Sequence, residues 1–107
     1  FAQDYKARLI TNEAVDRGYL EDISLDQKHF MLLPLLHSED ISDHVYAQNL
    51  CGTYLKNHPQ FIDIKKAWDD HTYVIKKFGR YPHRNKILGR TSTPEEELFL
   101  QKPNSSW

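Results

Sequence analysis

Apolar positions in this chain recur at steps of three and four, and no stretch alternates apolar and polar residues as a half-buried strand would. The segment DYKARLITNEAVDRG, from Asp4, is rich in helix formers and stops at Gly18, where a left-handed residue lets Tyr19 and Leu20 fold back. SLDQ, at Ser24–Gln27, is a capping box that opens a second helix through KHFMLLPLL. Pro34 lies inside that helix; without an N–H and with a ring that collides with the preceding turn, it predicts a kink or an early end. A third helix starts between Ser38 and Ser42 and runs to Asn57, with Ile41, His44, Ala47, Cys51, Tyr54 and Leu55 in helical register; His58 and Pro59 close it. The clearest stripe is Phe61, Ile64, Trp68, His71, Ile75 and Phe78, stopping at Gly79. Finally TPEE supplies Thr93 as cap, Pro94 in the first turn and Glu96 as reciprocal partner for a short helix carrying Leu98, Phe99 and Leu100, ended by Pro103. The pattern predicts an all-α fold of about five helices in antiparallel helical hairpins. They form one domain over residues 1–107, with Leu9, Leu33, Leu36, Leu50, Trp68, Ile75, Phe78 and Leu98 in or near the core. No internal repeat stands at solenoid spacing.

A length of 107 residues, 39% hydrophobic and 27% charged, suits one globular domain and excludes a disordered chain. The net charge of −1 gives no global pull toward nucleic acid or membrane. FMLLPLL, the longest apolar run, is too short to span a bilayer. The aromatic residues of the fourth helix form a core stripe rather than a stacking platform for bases, so neither nucleic acid nor a membrane is an expected partner. Cys51 stands alone on an apolar helix face; core filling in a reducing, cytoplasmic compartment is the expectation.

Charge is nevertheless uneven, and this changes the picture. Residues 71–94 carry six bases and no acid. Lys76 and Lys77 complement the dipole at the end of the fourth helix. Arg80, Arg84 and Arg90 sit instead in FGRYPHRNKILGR, among turns bracketed by Gly79, Pro82 and Gly89, where planar guanidinium forks can converge on carboxylates or phosphates. Two readings stay open: the arginines hold an anionic ligand, or they pair with the acids of HSED and PEEE and tie the last helix down.

The histidines divide similarly. His71 falls within the buried stripe and reads as a core histidine bonded to another helix. His83 stands beside Arg84 and Asn85, where neighbouring cations disfavour its charged form and leave a neutral base. HSEDISDH offers His37, Glu39, Asp40, Asp43 and His44, but it lacks a metalloprotease pattern and any cysteine partner. Helix capping explains it better than a metal site, and no metal or cofactor is expected. No nucleophile elbow and no glycine-rich phosphate loop is present.

LLPLLHSEDISDH together with FGRYPHRNKILGRTSTPEEELFL closely resembles the bacterial family known as domain of unknown function 924, from about Phe1 to Trp107. The resemblance implies an α-helical, tetratricopeptide-like architecture. Family members are longer at the N-terminus, where they carry a motif of the Asp-Gln-Phe-Pro-Arg-Asn type. This chain therefore reads as a C-terminal portion whose missing N-terminal segment is itself a partner, and NSSW reads as the family's C-terminus. The family motif falls here on His37, Glu39 and Asp40 and on Arg80, His83, Arg84, Asn85 and Arg90. These are the two places the residues themselves single out. The expectation is a small anionic molecule held by Arg80, Arg84, Asn85, Arg90, His37 and Asp40, with His83 and Glu39 exchanging protons in a hydrolase- or isomerase-like reaction. The competing class is a helical scaffold binding an acidic peptide.

Overall fold

A computed structural model describes residues 2–103, with side chains from residue 6; the NSSW ending lies outside the described residues. Five α-helices and no strand occur among the described residues: α1 (Ala2–Asp16), α2 (Leu25–Leu36), α3 (Ile41–Tyr54), α4 (Phe61–Phe78) and α5 (Pro94–Leu100). Two single 3-10 turns, Tyr19–Asp22 and Pro82–Arg84, join them. Short connections bring each of the first four helices back against its predecessor, and α2 also touches α4.

Local chemistry sets the helix ends. Ser24 and Gln27 close both bonds of a capping box, and Thr93 and Glu96 do the same for α5. Asp40 caps α3 by accepting the Ser42 N–H at 2.9 Å. Gly79 ends α4 in the left-handed region at φ 71°, its N–H returning to the Ile75 carbonyl. Pro34 does not end α2, which runs on to Leu36. The residue whose carbonyl loses its donor, Phe30, is on the exposed face, where water can replace the missing N–H. α3 stops at Tyr54, three residues short of the expected end, because a tight turn returns the His58 N–H to the Leu55 carbonyl.

The main core joins α1–α4 around Leu20, Leu32, Leu35, Leu55 and Trp68. A smaller cluster of Val74, Ile75 and Tyr81, with Phe78 and Phe99 against it, fastens the C-terminal segment to the end of α4. The expected core is corrected at two positions: Leu9 is 48% and Leu98 63% exposed. On α1 the inward face is carried by Thr11 and Ala14, with Thr11 Oγ1 donating to the Met31 carbonyl at 2.7 Å, and this turns Leu9 outward. On α5 the inward position belongs to Glu96, which is buried, and Leu98 lies off that face. No described helix is long and apolar enough to cross a membrane.

Candidate functional site

The arginine-rich segment is a loop with a pinned neck. Arg80 donates to Glu96 through Nε at 2.9 Å and Nη2 at 2.7 Å, and Nη2 also reaches the Thr91 carbonyl at 2.8 Å. The chain therefore leaves α4 and returns to α5 at one point, as in compact surface loops whose ends meet. Within the loop, Arg90 grips Glu39 with both terminal nitrogens, at 2.8 and 3.0 Å. Its Nε donates to Asn85 Oδ1 at 3.0 Å, and Asn85 Nδ2 donates to Ser92 Oγ at 3.0 Å. Asn85 is 1% exposed, so its amide organises the loop from inside. Gly89 supplies the left-handed φ of 68° that turns the chain back toward Arg90.

Tyr81 anchors this loop to the junction between α2 and α3. Its N–H donates to Glu39 Oε2 at 2.6 Å, and its hydroxyl donates to the Leu36 carbonyl. The Arg84 guanidinium lies over the Tyr81 ring, 4.8 Å from its centre, and donates to the His37 carbonyl at 2.9 Å. Imidazoles surround the same ring: His83 at 5.6 Å, His71 at 6.0 Å and His44 at 6.2 Å between centres, with His37 6.3 Å from His71. His37 and His71 also line a groove of about 360 Å³ between α2 and α4, whose walls include Leu33, Ile64 and Trp68.

Burial disfavours the charged form of three of these imidazoles, His71, His44 and His83. It lowers His71 to about 4, and it lowers His44 and His83; at His83 the Arg84 charge acts in the same direction. His71 Nδ1 donates to the Ala67 carbonyl at 2.7 Å, one turn back on α4, which fixes the tautomer. His44 Nε2 donates to the Ser38 carbonyl at 2.7 Å, leaving Nδ1 to accept from Thr72 Oγ1 at 3.1 Å. For Glu39, burial opposes ionisation, but the bonds from Arg90 and Tyr81 and the charges of Arg90 and Arg84 outweigh it, so its carboxyl sits below the usual range. The Arg80 fork takes Glu96 down to about 2. Burial pushes the Tyr81 phenol well above its ordinary value.

The structure thus brings His37, Glu39, Arg80, His83, Arg84, Asn85 and Arg90 together around Tyr81. Asp40 is at the edge, facing solvent with its carboxylate on Ser42. Sequence reasoning missed Tyr81 as the hub; it offered the acids of PEEE as partners of the arginines without assigning Glu96 to Arg80. A further polar cluster went unseen: Ser38 Oγ and Arg8 Nη1 both donate to Asp43 Oδ2, at 2.6 and 2.8 Å. The signal for Glu96 was its place in the capping box, which brings the carboxylate to the loop neck. Nothing local marks Tyr81 as a hub: Glu39, Leu36 and His44, which it meets through its N–H and hydroxyl, lie more than 35 residues away. No group of three or more metal-ligating side chains is placed to hold a metal ion among the described residues.

The family model described as bacterial protein of unknown function (DUF924) matches residues 1–104. A solved protein of unknown function from Agrobacterium tumefaciens is similar at 35% identity with a TM-score of 0.79, over 94% of this chain and 54% of that one. The chain thus spans about half the length of that relative. No curated protein matches. With the family model covering nearly the whole chain and the solved relative sharing its fold, this chain belongs to the DUF924 family of bacterial proteins.

Proposed function

We propose that the protein binds a small anionic molecule, a carboxylate or phosphate compound, where Arg84 meets the end of the groove between α2 and α4. One observation carries this reading: the Arg84 guanidinium lies over the Tyr81 ring and donates to the carbonyl of His37, a residue that lines the groove with His71, and its charge acts on His83. A guanidinium held in one orientation by a ring and a carbonyl is suited to recognising a planar or tetrahedral anion. Arg80 and Arg90 are committed to Glu96 and Glu39, so in this reading they hold the loop in shape, and Asn85 does so with them. The apolar wall of Leu33, Ile64 and Trp68 favours a ligand with a hydrocarbon portion beside its charge. If a reaction follows binding, His83, whose charged form burial disfavours, is the candidate base, while Glu39 stays ionised and acts on it through its charge. Hydrolysis and isomerisation both employ such a base.

The stacked hairpins are consistent with a tetratricopeptide-like array. Thermal-shift and calorimetric titration of this protein and its Agrobacterium relative with phosphate, succinate and longer aliphatic carboxylates tests the reading. Saturable stabilisation by one of these anions, lost in a folded Arg84→Ala variant, is the expected result. Capture of an acidic peptide with no response to any small anion would replace the pocket by a peptide-binding scaffold.

A further inference from the structure

The loop from Tyr81 to Arg90 meets the body of the protein through the Tyr81 ring, buried against Val74 and Ile75, and through polar contacts. The polar contacts include the Tyr81 N–H and the Arg90 fork on Glu39, the Tyr81 hydroxyl on the Leu36 carbonyl, and Arg84 on the His37 carbonyl. Both ends of the loop are pinned independently of these contacts, by Arg80 on Thr91 and Glu96 and by Phe99 packed 5.2 Å from Phe78. The main core of α1–α4 draws on none of the loop's residues. Withdrawing the loop from residues 36–39 takes the Tyr81 ring out of its packing on Val74 and Ile75 but leaves the main core and the Arg80–Glu96 pin in place.

We propose that this loop is an acid-released clasp: as pH falls below neutral, charging of the histidines gathered around Tyr81 drives Tyr81–Arg90 off the α2–α3 junction while α1–α4 stay folded. The inference rests on the contacts just described and not on the ligand reading. Each element at the seam contributes charge. The end of α2 brings His37, and α4 brings His71 and Asp70; the loop brings His83, Arg84 and Arg90. The junction brings Glu39 and Asp40, and α3 brings His44 and Asp43, with Asp43 already paired to Arg8 of α1. Glu39 is occupied by Arg90 and remains ionised, so the first change on acidification is added positive charge on a seam that already holds Arg84 and Arg90. His71, 6% exposed, lies against the Tyr81 ring, so charging it favours a state in which the loop has withdrawn that ring. His44 is better insulated, because Asp40 and Asp43 lie nearby and the Thr72 hydroxyl can turn to accept.

Amide hydrogen exchange on the wild-type protein from pH 7 to 4.5, corrected for the intrinsic pH dependence, tests the clasp. The Tyr81 amide, bonded to Glu39, should lose protection by about ten-fold or more, while the Leu55 amide on the Cys51 carbonyl keeps its own. His71→Phe, which keeps a ring of similar size but cannot be protonated, should move that loss to lower pH. His83→Gln should do the same, and it serves where the core variant fails to fold. Simultaneous loss at Tyr81 and Leu55, unchanged protection at Tyr81 down to pH 4.5, or an unshifted midpoint in the folded variants would each overturn the proposal.

Discussion

Arg80, Arg84 and Arg90 carry the same head group, and what each is bonded to decides what its removal does. Arg90 closes a fork on Glu39, with each side chain only about a quarter exposed. An exposed pair is worth at most about 1 kcal/mol, whereas breaking a fully buried one costs about 3–5 kcal/mol. Arg90→Gln falls between these limits and should cost about 2 kcal/mol. Arg80→Gln should also destabilise, since it leaves the buried Glu96 carboxylate with a cap to serve and its strongest partner gone. Arg84 donates to a carbonyl and rests on a ring, so Arg84→Gln should change stability by less than about 1 kcal/mol. Urea titration of the three variants gives the order directly. A loss at Arg84 as large as at Arg90 would make Arg84 a structural tie and remove the basis for placing a ligand there.

The seven residues of α5 cannot sustain a helix by propensity, so its ends and its one buried position must hold it. Thr93 accepts the Glu96 N–H at 3.1 Å while Glu96 Oε1 accepts the Thr93 N–H at 2.9 Å and the Arg80 fork as well. Thr93→Ala should therefore cost about 1 kcal/mol, seen as a fall of several degrees in the thermal midpoint. It should also loosen the loop neck, which exchange at the Thr91–Ser92 amides would report. Such features were legible in the sequence because they are local: both capping boxes, the stop at Gly79 and the stripe of α4 each depend on residues within about one or two turns. The outward turn of Leu9 was not legible, because α1 buries the small and polar Ala14 and Thr11, and hydrophobic periodicity does not see them. Pairing of the arginines with the acids of HSED and PEEE was legible as one of two readings, but which arginine meets which acid was not. Arg90 and Glu39 are 51 residues apart, and only the return of α2 to the end of α4 brings them within reach.

At the scale of the whole molecule, the buried histidines make stability depend on pH. His71 titrates at about 4 in the folded state against 6.5 for an unburied imidazole, so between those values the unfolded chain binds more protons and stability rises with pH. The contribution is therefore intact above pH 6.5 and is lost as pH falls toward 4, by about 3 kcal/mol if the fold stays closed. Glu96, lowered from 4.5 to about 2, has the same sign and acts over the more acid range between those values. The clasp alters the shape of this curve. Once the loop has opened, His71 and His83 can take protons in a protein whose α1–α4 core is still folded, and the advantage of the unfolded chain stops growing. The urea midpoint should fall from pH 7 to the pH at which the Tyr81 amide loses protection, and then flatten until Glu96 begins to titrate. His71→Phe should reduce the initial slope. An uninterrupted fall in the midpoint down to pH 4 would mean that the loop and the helical core give way together.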